Sequence, residues 1–299
     1  MSIFSFTQLK ALIESFKDND SMGIEIIAAF FRKLVREIVT PVRNINYPFV
    51  VRSSPNNTGE IFSNISRCSY NPFVESIPLQ RCNYRSQQVF YGAIPANMKN
   101  IDAGMTALLE TSIDYAENIN NRSKHFTLSR WVLQRPLKVF VLPFSQQSAK
   151  NNNDFEEMNK IFDSLLLQTF PNQETYQYYK GFLEYMSEIF CKGVDKTEKD
   201  KYYKISAAFY NELMDMSKSE GKDIDGLIYP SANSKSEGMN IALKKELIDE
   251  KQLVCDHTIM FIMLRNPNRS NDIWFPLASS PSEPDSNGNI EFKNIAKLP

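Results

Sequence analysis

Apolar residues near the start of the chain recur at three- and four-residue steps, which is the period of an amphipathic α-helix. This pattern predicts two helices, over residues 7–17 and about 21–39, and Ile24, Ile27 and Phe31 lie on the apolar face of the second. Such a face needs a partner. Packing on the body of the same protein and an interface with a second copy or another protein are both open from the sequence.

From Pro48 the pattern changes to short runs rich in β-branched and aromatic residues. Strands are predicted at residues 49–52, 89–94, 126–132, 137–142, 227–229, 239–243 and 252–264. A polar loop rich in Asn and Ser separates the first two, and a loop of that length is usually functional or disordered. Pro230 cannot continue a central ladder, so Ser231 is placed in the turn after its strand.

Helical patterns occupy much of the remaining chain, at residues 103–118 with Asp102 as N-cap, after the cap at 151–154, at 173–190 and at 201–216. The tail after Pro276 is rich in Ser, Pro, Asp and Asn and is expected to be poorly ordered. Strands at both ends with helices inserted between them predict an α+β fold with a mixed sheet. We divide it into an N-terminal helical segment (1–45), a main domain (46–276) with a helical insertion at about 150–220, and a C-terminal tail (277–299).

Composition argues against several classes of protein. Lys+Arg 34 against Asp+Glu 35 gives a formal charge of -1 with no basic cluster, so direct nucleic-acid binding is not expected. The apolar runs are too short to span a bilayer, so no membrane contact is expected. Four scattered cysteines and no visible secretory leader predict a reducing, cytoplasmic setting. His125 and His257 lack second ligands at suitable spacing, so no metal site is predicted.

Several polar residues stand out against this background. Arg52 follows the run Phe49-Val-Val, and Arg81 lies in Gln80-Arg-Cys-Asn83; guanidinium groups at such positions suit a diphosphate, although either could be a surface residue. The ring of Tyr91 could stack on a planar heterocycle. Glu110 is the single carboxylate on the apolar turn 106–111, where it could stabilise positive charge developing on a sugar ring.

Six short motifs, in order, resemble those of the RES family, which is named for its arginine, glutamate and serine. The resemblance covers about residues 48–261, and its most specific part is the Ile-Tyr-Pro-Ser segment with the Gly-x-Asn that follows. The motifs are Arg52 after the first strand, Arg81-x-Asn83, Val89-Phe-Tyr91, Thr106-Ala-Leu-Leu-Glu110, Ile228-Tyr-Pro-Ser231 and Gly238-x-Asn240.

The resemblance implies a fold similar to ADP-ribosyltransferase toxins and an activity on NAD⁺, which is a substrate here and not a cofactor. The nicotinamide–ribose bond would be split by phosphorolysis or hydrolysis, or ADP-ribose would be transferred to a macromolecule. Compact members are toxins paired with a DNA-binding antitoxin. A role as a growth-arresting toxin or defence effector, a cognate antitoxin or inhibitory protein and a homo-oligomer are therefore expectations for this chain.

Residue roles follow from the same resemblance. It implies catalytic roles for Glu110, Arg52 and Ser231: the glutamate polarises the ribose and stabilises an oxocarbenium-like state, and the serine holds nicotinamide or ribose. It implies substrate-binding roles, on the diphosphate, the nicotinamide side and the ribose, for the residues Arg81, Tyr91, Asn83 and Asn240.

This chain departs from the family pattern at three places. Gln80 stands where a glycine usually precedes the second arginine, and residues 95–101 are expected to form an inserted loop. A long, largely helical stretch separates Glu110 from Ser231. A non-catalytic protein that only binds a nucleotide or a partner, using the N-terminal helices as an interface, is the remaining alternative.

Overall fold

The computed structural model describes residues 5–18, 23–38, 40–95, 102–116, 123–143, 145–194, 197–266 and 269–297. Its α-helices are α1 (Phe6–Asp18), α2 (Ile24–Leu34), α3 (Ala103–Ala116), α4 (Gln146–Asn151), α5 (Asn153–Thr169), α6 (Gln173–Cys191), α7 (Lys199–Ser219) and α8 (Glu246–Asp249). Its strands are β1 (Val42–Ile45), β2 (Phe49–Pro55), β3 (Val89–Ile94), β4 (Ser123–Leu133), β5 (Leu137–Val141), β6 (Gly226–Pro230), β7 (Met239–Lys244), β8 (Leu253–Asn266) and β9 (Arg269–Trp274).

The strands form one nine-stranded mixed sheet in the order β1-β5-β6-β7-β3-β2-β4-β8-β9. Only the β5–β6 pair is parallel among the described strands. A parallel pair of consecutive strands needs a long crossover, which α4 to α7 provide. The predicted α+β class with a mixed sheet and a helical insertion is therefore confirmed.

The end of β6 shows why a proline is tolerated there. β5 pairs with β6 only as far as Ile228, whereas β7 continues to the pair between Pro230 and Met239. Pro230 therefore has β7 on one side and no paired strand on the other. The N–H group that proline lacks is thus not needed for a hydrogen bond to a second strand. The chain turns at Ser231, as the sequence predicts.

The ladder between β2 and β3 is confined to the single pair Val51–Ala93. β2 continues through Pro55, so the prediction that this strand ends at Arg52 is wrong; pairing with β4 along its whole length keeps it extended. Arg52 therefore lies in the middle of a strand. It stands at the point where the β2–β3 ladder stops.

The N-terminal helices belong to the main core. Ile13, Ile27 and Phe31 are fully buried, and the Phe31 ring meets the ring of Phe209 of α7 edge-on at 5.6 Å. The apolar face of α1 and α2 is thus covered by α6 and α7 of the same chain. The predicted segment 1–45 also includes β1, which the pattern missed and which pairs with β5.

The C-terminal tail is packed on the sheet, and the expectation that it is poorly ordered is wrong for residues 277–297. Ala278, Ile290 and Phe292 are buried, and backbone bonds join Ala278 N to the Met260 carbonyl at 2.8 Å and Ile290 N to the Ser63 carbonyl at 3.0 Å. Its few apolar residues carry the packing, while its polar composition reflects turns.

Residues 96–101 of the expected inserted loop lie outside the described residues. Among the described helices, none is long and apolar enough to cross a membrane.

Candidate functional site

A cavity of about 940 Å³ lies among α3, the loop that precedes β3, and the start of α7. This volume is near the upper end of the range of roughly 300–1,000 Å³ that is typical of small-molecule sites. Six of the seven predicted site residues line it, and these are Arg52, Arg81, Asn83, Tyr91, Glu110 and Asn240. The seventh, Ser231, is fully buried behind Glu110.

The carboxylate of Glu110 is the most heavily hydrogen-bonded group in the cavity wall. Its Oε1 accepts from Ser231 Oγ at 2.5 Å, from Asn240 Nδ2 at 2.9 Å and from the backbone N–H of Asn233 at 3.4 Å. Its Oε2 accepts from Asn233 Nδ2 at 3.1 Å. Together these donors fix the orientation of the carboxylate.

The turn that supplies the donors of Ser231 and Asn233, residues 231–238, is held by its own hydrogen bonds. The Ser231 N–H donates to the Gly238 carbonyl at 2.9 Å, and the Ser234 N–H donates to Ser231 Oγ at 3.2 Å. Lys235 and Ser236 have φ angles of 52° and 64°, a left-handed conformation that costs non-glycine residues of the order of 1–3 kcal/mol each. The turn is therefore strained at these two residues and is held by hydrogen bonds.

Gly238 allows this turn to lie against α3. A Cβ atom at position 238 would overlap the side chain of Thr106 and lie 3.0 Å from Ser234 Oγ. Thr106 precedes Glu110 by one helical turn, so the close contact sets the distance between the glutamate and its donors. This is the physical reason for glycine in the Gly238-x-Asn240 motif.

Arg52 enters the cavity at the break between β2 and β3. Its Nη1 donates to the Tyr91 carbonyl at 2.7 Å, and its guanidinium lies 5.4 Å from the centre of the Phe90 ring. Burial lowers the pKa of Arg52 to about 10, so the group is still charged at neutral pH. Its Nε is buried with no hydrogen-bond partner among the described residues, and the side chain is thus a cation that the fold leaves partly unsatisfied.

Arg81 lines the same cavity, but two of its donors are engaged by the protein. Nη1 donates to the Ile189 carbonyl at 3.2 Å and Nη2 to the Lys192 carbonyl at 2.6 Å, so the guanidinium binds the C-terminal end of α6. It also lies 5.1 Å from the centre of the Tyr203 ring. A cation is favourable at a helix C-terminus. In this structure Arg81 joins the helical insertion to the cavity loop.

Tyr91 and Asn83 form a structural pair in the wall. The Tyr91 hydroxyl donates to Asn83 Oδ1 at 2.8 Å and accepts from the Cys82 N–H at 2.9 Å. Burial raises the pKa of Tyr91 well above its usual value, so the phenol keeps its proton. The amide of Asn83 donates to the carbonyls of Pro78 and Tyr84. The Tyr91 ring, and not its hydroxyl, is the part that remains for a ligand.

The structure thus brings all seven predicted residues to one site, in three kinds of environment. Glu110 and Arg52 are charged residues that line the cavity, Ser231 and Asn240 donate hydrogen bonds to the glutamate, and Arg81, Asn83 and Tyr91 are hydrogen-bonded to the surrounding fold. Asn233 was missed by the sequence reasoning. Its only signal was its position two residues after Ser231 in a turn.

No group of His, Cys, Asp and Glu side chains in the described ranges could hold a metal ion. Comparison with known protein families finds no family model that matches this chain, and comparison with curated proteins finds no similar sequence. The site geometry and the residues themselves are therefore the basis for any functional conclusion.

Proposed function

We propose that this protein cleaves the nicotinamide–ribose bond of NAD⁺ in this cavity, and that its sheet is of the ADP-ribosyltransferase-like kind. The observation that carries the proposal is the Glu110 carboxylate, which four hydrogen bonds orient in the wall of a cavity that also contains Arg52 and the Tyr91 ring. The residues come from distant parts of the sequence. Their convergence supports a common binding site.

The chemistry needs little more than these groups. When the C–N bond breaks, the electron pair goes to the pyridinium nitrogen and nicotinamide leaves as a neutral molecule, so no general acid is required. Positive charge grows on the ribose, and a fixed carboxylate stabilises that charge more in the transition state than in the ground state. An oxygen of water or phosphate then bonds to the sugar carbon, and the proton of that acceptor passes to solvent.

Arg52 is the best placed group for the negatively charged part of the substrate. It has a buried, partly unsatisfied guanidinium, and such groups bind phosphate oxygens through paired N–H donors. Arg81 contributes through its charge while it holds α6. The ring of Tyr91 offers a flat surface for the nicotinamide.

The cellular role that belongs to this proposal is growth arrest or defence in the cytoplasm through loss of NAD⁺, with an antitoxin or other inhibitory protein as partner. Homo-oligomers are part of the same proposal. Each rests on the resemblance to RES proteins.

Incubation of purified protein with NAD⁺, with and without phosphate, tests the proposal by chromatography of the products. We expect free nicotinamide with ADP-ribose when water is the acceptor, and with phosphorylated ADP-ribose when phosphate is. Labelled ADP-ribose found on protein or nucleic acid of an added cell extract would instead indicate a transferase. Absence of nicotinamide under all of these conditions would contradict the proposal.

A further inference from the structure

The two oxygens of the Glu110 carboxylate are in unequal environments. Oε1 accepts from three donors, namely Ser231 Oγ, Asn240 Nδ2 and the Asn233 N–H. Oε2 accepts from one, Asn233 Nδ2. A carboxylate oxygen has about two lone-pair sites, so Oε1 is saturated and Oε2 has capacity left. Oε2 is thus the oxygen that can receive a substrate group.

Asn233 is the only residue among these donors that contacts both oxygens. Its backbone N–H reaches Oε1 and its side-chain amide reaches Oε2. The pair of contacts sets the rotation of the carboxylate about its terminal bond, which Ser231 and Asn240 alone would leave less defined. Asn233 also lines the cavity, whereas Ser231 is fully buried.

We propose that Asn233 is a positioning residue that turns Oε2 of Glu110 toward bound substrate. The proposal rests on the function proposed above and assigns a part of that site to a residue outside the family motifs. Asn233 would act through one hydrogen bond, which its Nδ2 atom donates to Glu110 Oε2. The hydrogen bonds from the Ser231 N–H to the Gly238 carbonyl and from the Ser234 N–H to Ser231 Oγ support it by holding the backbone on both sides of Asn233.

Two substitutions separate hydrogen-bond donation from space filling. N233A removes the Nδ2 donor, and we expect kcat to fall about 10- to 100-fold with little change in KM, since a donor to a charged group is lost. N233D keeps the volume but places a second carboxylate beside Oε2, so kcat should fall further. The difference in kcat between N233A and N233D should shrink below about pH 5, where the new aspartate gains a proton.

Asn151 of α4 offers a matched control, because its side chain contacts the same turn. Asn151 donates from Nδ2 to the Lys235 carbonyl at 2.8 Å and does not contact Glu110. N151A and N151D should lower kcat far less than the matching changes at Asn233, because neither removes or opposes a donor to Glu110. If N233D is as active as N233A or more active, Asn233 acts by filling space and the proposal is overturned.

Thermal unfolding tests the same contact without turnover. At pH 8 N233D should unfold at a lower temperature than N233A, and the difference should disappear when Glu110 is changed to Gln in both. An unchanged difference in the E110Q background would overturn the inference. Failure of the proposed function would show separately, as a wild-type protein that releases no nicotinamide.

Discussion

Arg52 illustrates at the scale of a single residue how this site departs from what stability alone would favour. Its guanidinium is buried enough to lower its pKa to about 10, and its Nε has no partner among the described residues. Groups held in such surroundings are typical of functional sites, where stability is reduced for binding. The charge is retained at neutral pH, where a diphosphate would offer the missing partners.

Replacing Arg52 by methionine should raise the stability of the fold while abolishing NAD⁺ binding. We expect the free energy of unfolding of R52M to be about 1 kcal/mol higher than that of the wild type, because the desolvated charge is removed. Above about pH 10 the unfolded state holds more protons at Arg52 than the folded state, so Arg52 contributes a gain in stability with pH there, whereas buried tyrosines such as Tyr91 contribute a loss. Stability should therefore fall more steeply with pH in R52M than in the wild type. Calorimetric unfolding and titration with NAD⁺ measure both effects.

Arg67 gives the matched control for that substitution. It forms an ion pair with Glu60 at 2.9 Å and lies 5.0 Å from the centre of the Phe62 ring, so its charge is satisfied. R67M should therefore lower the unfolding temperature. If R52M lowers it as much as R67M, Arg52 has a structural role and this account of its charge is incorrect.

Most residues of the site could be identified from the sequence, but the hydrogen bonds among them could not. Arg52, Glu110 and Ser231 could be singled out because each is a polar group in or next to an apolar run, but the position of Arg52 within β2, and not at its end, could not be predicted. The attachment of Arg81 to Ile189 and Lys192 was not, since it depends on where α6 ends, far along the chain. Side-chain partners of this kind follow from tertiary structure, and no local pattern encodes them.

At the scale of elements, the proposed activity depends on the fit between α3 and the turn 231–238. We expect G238A to destabilise the protein by about 1–3 kcal/mol, because the new methyl group overlaps Thr106 and forces the two elements apart. NAD⁺ turnover should fall as well, since the donors move away from Glu110. Chemical denaturation and steady-state rates are the measurements.

A second substitution makes this prediction specific. Thr106 Oγ1 is buried without a hydrogen-bond partner among the described residues, so T106A alone should cost little. The double variant G238A/T106A should recover part of the stability and turnover lost in G238A. No recovery would indicate that Gly238 is needed for a reason other than its contact with α3.

Element prediction succeeded where hydrophobic periodicity was strong and failed at short or edge segments. β3, for example, has the predicted bounds, and α6 differs by one residue. β1 was missed because four residues at a sheet edge give no clear alternation, and the extension of β2 through Pro55 depends on pairing with β4. The same holds for the tail, whose order comes from contacts with β8 and with residues 63–65, which follow β2.

At the scale of the whole molecule, the N-terminal helices are part of the core that supports the cavity. Phe31 of α2 is fully buried, whereas Ile26 on the same helix is 57% exposed. F31A should lower the free energy of unfolding by about 3–5 kcal/mol, while I26A should change it by less than about 0.5 kcal/mol. Equal, small effects in denaturant titrations would contradict this view and favour a detachable interface segment.

The central claim is that Glu110 acts on NAD⁺ bound in the cavity, and one variant tests it most directly. E110Q should bind NAD⁺ with nearly wild-type affinity by calorimetry but release nicotinamide about 100- to 1,000-fold more slowly, because the stabilising charge is lost. E174Q, at an exposed glutamate of α6, should keep wild-type turnover. Nicotinamide release by E110Q at the wild-type rate would contradict the account.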